Sequence, residues 1–151
     1  MPVTIRKCSV AEIENAPNFA ALLEEYALES AIAGIPQPSA KMEMYRLLEK
    51  SGGFHAFGAF EDHLIGFIGV LCAPSQHYGG NKIATCESYF VTKSRRSTGA
   101  GIRLRNAAKE FGKANDCSVI LTVAKPGSDL DLMLMAKKEC EHTNNVYCER
   151  L

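Results

Sequence analysis

The sequence has no surplus of charge of either sign: Lys plus Arg is 17 and Asp plus Glu is 17. Nothing in that balance would draw the whole chain to nucleic acid or to an acidic membrane surface. No run approaches the ~18 apolar residues that a membrane span requires, and Met1-Pro2-Val3-Thr4-Ile5-Arg6-Lys7 has no apolar signal segment behind it. These absences predict a cytoplasmic protein with neither a nucleic-acid nor a membrane partner. The six cysteines (Cys8, Cys72, Cys86, Cys117, Cys140 and Cys148) include no Cys-x-x-Cys pair, so free thiols packed as small hydrophobes are expected. Cys140, His142 and Cys148 fit no standard zinc spacing and lack an evident fourth ligand, so no metal is expected. Repeats, low-complexity tracts and linkers are also missing, and the 151 residues are expected to form one domain over 1–151.

What is present is 46% hydrophobic and 23% charged, as in ordinary globular chains. Val3 to Lys7 reads as a strand. Phe19 to Ile32 reads as a helix ended by Gly34 and Pro36-Gln37-Pro38, a breaker that could also shape a substrate pocket. Ser39 is placed to cap a second helix through Met42, Tyr45, Leu47 and Leu48, stopped at Gly52-Gly53. Phe54 to Phe60 and Leu64 to Cys72 form a hairpin about Glu61-Asp62-His63. After the loop Pro74 to Asn81 comes a strand, Ile83 to Val91. Ile102, Leu104, Ala107, Ala108 and Phe111 then recur at helical spacing. The nearly all-apolar Ser118 to Val123 suits the centre of a covered sheet. A helix over Asp129 to Lys138 and a final strand over Val146 to Arg150 complete a mixed α/β chain of order β-α-α-β-β-β-α-β-α-β.

The richest stretch joins the fourth strand to the helix after it, through Lys93-Ser94-Arg95-Arg96-Ser97-Thr98-Gly99-Ala100-Gly101-Ile102. A helix starting there leaves its first N–H groups unpartnered, at the positive end of its dipole, which suits a phosphate. Gly99 and Gly101 remove the Cβ atoms that would hold a ligand away. Lys93, Arg95, Arg96, Arg103 and Arg105 add a local basic patch. The expectation is an anion cradle for a pyrophosphate. A Rossmann nucleotide site would need an acidic ribose ligand ending a second strand, and Asp116 precedes its strand instead.

With that element order and Arg96-Ser97-Thr98-Gly99-Ala100-Gly101, the chain resembles the GNAT superfamily of acyl-CoA-dependent N-acetyltransferases over essentially its whole length. Val91 stands at the family's strand-ending valine and Leu104 at its apolar helix position. The resemblance implies acetyl-CoA as donor, a primary amine of a small molecule, peptide or protein as acceptor, and direct attack in a ternary complex. It also implies central parallel strands that splay, with Phe90, Val91, Lys93, Arg95, Arg96, Ser97, Thr98, Gly99, Ala100, Gly101 and Ile102 binding the donor. Backbone N–H groups near Phe90 and Val91 would polarise the thioester carbonyl, and the main chain of Val91 and Lys93 would bond the pantetheine arm as an added strand. A homodimer would be common for such a fold. Where the family carries a tyrosine that protonates the departing thiolate, this chain has Met135; Tyr147 in the final strand is the nearest substitute. That gap leaves a non-catalytic acyl-CoA-binding module as the competing reading.

An amine must lose a proton before it can attack, so a base is needed. Alternation along the strand puts Glu87, Tyr89 and Val91 on one face and Cys86, Ser88 and Phe90 on the other. Glu87 is an acid inside an otherwise neutral strand and is assigned as general base or amine anchor; a solvated edge glutamate is the plain alternative. His55, His63, His77 and His142 form no constellation and are expected to be structural or exposed.

Overall fold

Five strands order themselves across one sheet as they occur in the chain, because the second, third and fourth each turn back on the strand before. The computed structural model describes residues 2–35 and 40–151. Its elements are β1 (Thr4–Cys8), α1 (Val10–Glu14), α2 (Phe19–Ser30), α3 (Met42–Lys50), β2 (Phe54–Phe60), β3 (Leu64–Pro74), β4 (Lys82–Val91), α4 (Ala100–Ala114), β5 (Cys117–Thr122) and α5 (Asp129–Met135). The strands β1 to β4 pair antiparallel in sequence order, and β5 lies parallel to β4. The mixed α/β fold and the hairpin about residues 61–63 are as the sequence predicts. Pro36, Gln37, Pro38 and Ser39 lie outside the described residues, so the expected cap and breaker there are not placed.

Two apolar layers hold helices to the sheet. On one face α4 lays Ala100, Leu104 and Ala108 against Ile65, Ile68, Val70, Ala84 and Val91. On the other, Val10, Ile13, Phe19 and Leu22 from α1 and α2 pack on Phe54, Phe67 and Phe90. Gly66 lets β4 come close, since a Cβ there would sit 2.6 Å from the Phe90 carbonyl oxygen. Among the described residues no helix is long and apolar enough to cross a membrane, and all six cysteines are free.

Three expectations need correction. The short helix α1 was not anticipated, although its signal is plain: the Ser9 side chain accepts the Glu12 N–H at 3.1 Å while Glu12 accepts the Ser9 N–H at 2.7 Å. That reciprocal pairing satisfies two donors that would otherwise be lost. The final strand over Val146 to Arg150 does not form, and its fixed point is instead Arg150, whose Nε donates to the Ala33 carbonyl at 3.2 Å. Val146, Tyr147 and Cys148 all stay exposed, so nothing is buried there to offset the ordering of a strand. As a result β5 is an edge, not a covered centre, and Val119 and Leu121 stand 50% and 43% exposed.

Because Leu104 is completely buried between α4 and the sheet, Leu104→Ala is expected to cost about 2–5 kcal/mol, read as a lowered urea midpoint.

Candidate active site

The site starts from an irregularity in β4. Gly69 pairs with Ser88, but its neighbour Val70 pairs with Cys86, so Glu87 is the extra residue of a β-bulge. The bulge interrupts the alternation read from the sequence. Cys86, Tyr89 and Val91 pack in the α4 layer, whereas Phe90 belongs to the opposite layer. Glu87 faces that opposite side too, toward α3, and so does not share a face with Tyr89 and Val91 as alternation predicts. The pairing of β4 with β5 also ends here, at Cys86 opposite Thr122. From Glu87 to Val91, β4 has no strand on its β5 side. This is the splay of the two parallel strands.

The Glu87 carboxylate meets Tyr45, whose hydroxyl donates to Oε1 at 2.7 Å from α3. Both residues line an open cleft of about 460 Å³, walled by Leu23, Tyr26, Ala27 and Ser30 of α2 and by Lys41, Met44 and Leu48 on the α3 side. Tyr26 is braced edge-on against Phe67, with ring centroids 5.6 Å apart, and tilted on Phe90 at the same separation. Burial first, and then the bond to the Glu87 carboxylate, pushes the Tyr45 phenol well above its usual range. Burial and the same carboxylate raise Tyr26. Both phenols therefore remain protonated donors beside an exposed carboxylate. Tyr45 was read from the sequence only as an apolar helix position; no local spacing tells that it meets a strand residue 42 positions away.

The second half of the site is the connection from β4 to α4. A tight turn over Lys93–Thr98 leads to Gly99, whose φ of +77° is readily open only to glycine, and α4 starts at Ala100. No protein atom lies within 4 Å of where a Gly99 Cβ would stand. Tyr89 fixes this start, donating to the Gly101 carbonyl at 2.6 Å. The N–H groups of the first turn lack intrahelical acceptors, and that of Ala100 donates to Thr98 Oγ1 at 3.3 Å. A phosphate fits such a helix start.

The basic residues are less available than their sequence position suggests. Arg96 donates through Nε to the Val91 carbonyl, through one terminal nitrogen to Asp129 at 2.8 Å, and through the other to Glu29 at 2.6 Å. Arg95 pairs with Glu61 at 2.9 Å. Arg103 donates to the Val3 carbonyl, and the buried Arg105 faces Glu139 and the Cys140 sulfur. The expected patch of five cations therefore does not assemble, because Arg103 is spent on the Val3 carbonyl and Arg105 is buried against Glu139 and Cys140. The main chain of Lys93 is also engaged: its N–H donates to Glu25 Oε1 at 2.8 Å, and Thr92 Oγ1 donates to Oε2 of the same carboxylate. Ser97 and Thr98 are exposed on the turn, and Ile102 is 41% exposed. Tyr147 lies in the irregular tail, 84% exposed and outside the lining of the Glu87 cleft. Met135 at the end of α5 is also exposed.

Residues 19–129 match the acetyltransferase (GNAT) family. Comparison with curated proteins gives no match. Among solved structures, the chain is similar to a ribosomal-protein-alanine N-acetyltransferase from Brucella melitensis biovar Abortus 2308, with a TM-score of 0.75 and 18% identity over 100% of both chains. It is similar to the aminoglycoside acetyltransferase meta-AAC0020 from an uncultured soil metagenomic sample, with a TM-score of 0.73 and 18% identity over 99% of this chain and 96% of that one. A third similar structure is AAC(6')-Iy in complex with a CoA-containing bisubstrate analogue, with a TM-score of 0.72 and 19% identity over 100% of this chain and 99% of that one.

The raised Tyr45 phenol has a direct consequence at alkaline pH. An unfolded tyrosine ionises near 10.0 whereas the folded one resists, so this stabilisation is complete below pH 10 and is lost as pH rises through the folded value. Tyr45→Phe is expected to shed stability more slowly than the parent above pH 10, as measured by urea unfolding across an alkaline series.

Proposed function

This chain belongs to the acetyltransferase (GNAT) family, and on that premise we propose that it moves an acetyl group from acetyl-CoA to a primary amine. Donor and acceptor are bound together, and the amine attacks directly. The observation that carries this reading is the Glu87 carboxylate, turned by the bulge into an open cleft at the point where β4 and β5 separate.

Acetyl-CoA supplies the acyl group already activated as a thioester. The chain's task is then to hold two reactants and move protons. The start of α4 with Gly99, Ala100, Gly101 and Ile102, flanked by Lys93, Arg95, Ser97 and Thr98, receives the pyrophosphate. Arg96 shapes the cradle from behind, because its donors are committed to Val91, Asp129 and Glu29. The Phe90–Val91 main chain, beyond the last β5 partner, faces the acyl carbonyl and the pantetheine arm while Arg96 keeps the Val91 carbonyl, and the arm takes the Lys93 N–H from Glu25. Glu87 attracts the ammonium and accepts its proton directly or through water. Tyr45 is a positioning residue that fixes one carboxylate oxygen and leaves the other for the amine. Tyr147 is the candidate donor of the proton for the departing thiolate, in a tail anchored at Arg150.

A non-catalytic acyl-CoA-binding module is the second reading, favoured by the exposed methionine at position 135. One experiment separates the two. Acetyl-CoA at 100 times its dissociation constant should stabilise the fold by about 2.7 kcal/mol, seen as a rise in Tm that NADH and ATP do not give. Glu87→Gln should keep that rise and lose about 100-fold or more in acetyl transfer, followed by mass spectrometry of the amine product. A rise with no transfer to any amine would establish the binding module; no rise would end the acetyltransferase reading. Tyr147→Phe should lower kcat while leaving the Tm rise intact.

A further inference from the structure

The cleft around Glu87 is built for one positive charge on an apolar body. We propose that the acceptor is a hydrophobic monoamine, an alkyl- or arylalkylamine, and that the site rejects polyamines and aminoglycosides; this rests on the reading of Glu87 as the amine site. The argument is an accounting of carboxylates. α2 and α3 together carry Glu24, Glu25, Glu29, Glu43 and Glu49, yet none lines the cleft. Glu25 is held by Thr92 and Lys93, Glu29 by Arg96, and Glu49 by the Val10 N–H at 2.9 Å. Glu24 and Glu43 lie off the helix faces that line it. Pro36, Gln37, Pro38 and Ser39, outside the described residues, carry no side-chain charge.

Among the described residues Glu87 is thus the one anion of the lining, and Lys41 its one cation. A first ammonium finds a carboxylate with a tyrosine beside it. A second would be brought against Leu23, Met44 and Leu48 without a counter-ion, in a cleft that already holds the Lys41 charge. Such a charge loses hydration without recovering it, and the like charge adds a penalty specific to polycations. An alkyl or aryl group gains instead, because Met44 and Leu48 present apolar surface to the cleft, 55% and 39% exposed, that it would cover.

The test is a comparison of kcat/KM at fixed acetyl-CoA for hexylamine and phenethylamine against spermidine and neamine. The monoamines should lead by about tenfold or more, the scale expected of one unpaired charge. Met44→Glu adds the missing second carboxylate on the cleft wall, away from Glu87 and the donor cradle. It should raise turnover of hexamethylenediamine relative to hexylamine by about tenfold. Faster acetylation of spermidine or neamine by the parent would overturn the substrate assignment while leaving acetyl transfer intact, as would an unchanged diamine ratio in Met44→Glu. Acetyl-CoA-dependent stabilisation, measured alongside, keeps the two failures apart: its absence removes the acetyltransferase reading itself, whereas its presence with no turnover of either monoamine removes only the acceptor class.

Discussion

The proposed site depends on one extra residue in β4. An uninterrupted strand would keep Glu87 in step with Tyr89 and Val91, toward the α4 layer, where a carboxylate loses its water. The bulge sends it to the other face. It also coincides with the last rung of the β4–β5 ladder, because added twist at a bulge carries the strand away from a straight neighbour. A single local departure from pleating therefore yields both an aimed acid and an opened seam. Gly66 supports the arrangement from β3, since any side chain there would push back the Phe90–Val91 backbone that borders the seam.

Charge in this protein is used mainly for joining parts. The chain is neutral overall, and its Arg and Glu residues near the site are largely consumed by each other. Arg96 ties α2 through Glu29 and α5 through Asp129 to the end of β4, and Lys125 adds two bonds to the carbonyls of Glu29 and Ala31 at the close of α2. These contacts are partly exposed and individually worth little. Their use is geometric: they set α2 and α5 about the strand end, leaving backbone N–H groups and helix polarity as the main means of holding an anion. The proposed anion site is accordingly made of main chain, and the described lining of the Glu87 cleft carries only Glu87 and Lys41 as charged residues.

Much of this was legible in the residues. Apolar spacing and glycine punctuation gave the hairpin, the long strand and α4, because each is dictated by local pattern. The strand, glycine turn and helix start of the proposed anion loop were legible for the same reason, since they are contiguous. Glu87 stood out as an acid in a neutral strand, but its direction did not, since a bulge is a property of two strands in register and not of one. Tyr45 was hidden because its phenol is one turn of a helix away from ordinary core positions. The availability of Arg96, Arg103 and Arg105 was overestimated, because their partners come from distant segments: Glu29, Asp129, Val3 and Glu139. The last strand failed where a short alternating pattern met no burial to support it.

The carboxylate of Glu25 occupies the Lys93 N–H from a position one residue before Tyr26, which forms the wall of the other cleft. α2 is held to the end of β4 through both Glu25 and Glu29, while Leu23, Tyr26, Ala27 and Ser30 of the same helix wall the cleft. On the proposed reading, a donor that bonds the Lys93 N–H displaces Glu25 and leaves the Glu29–Arg96 pair to hold the helix. By thermodynamic reciprocity, a molecule pressing on Tyr26 from the far side alters the hold on that donor by the same factor. On that reading, one glutamate that touches neither reacting atom couples the affinities of the two ligands.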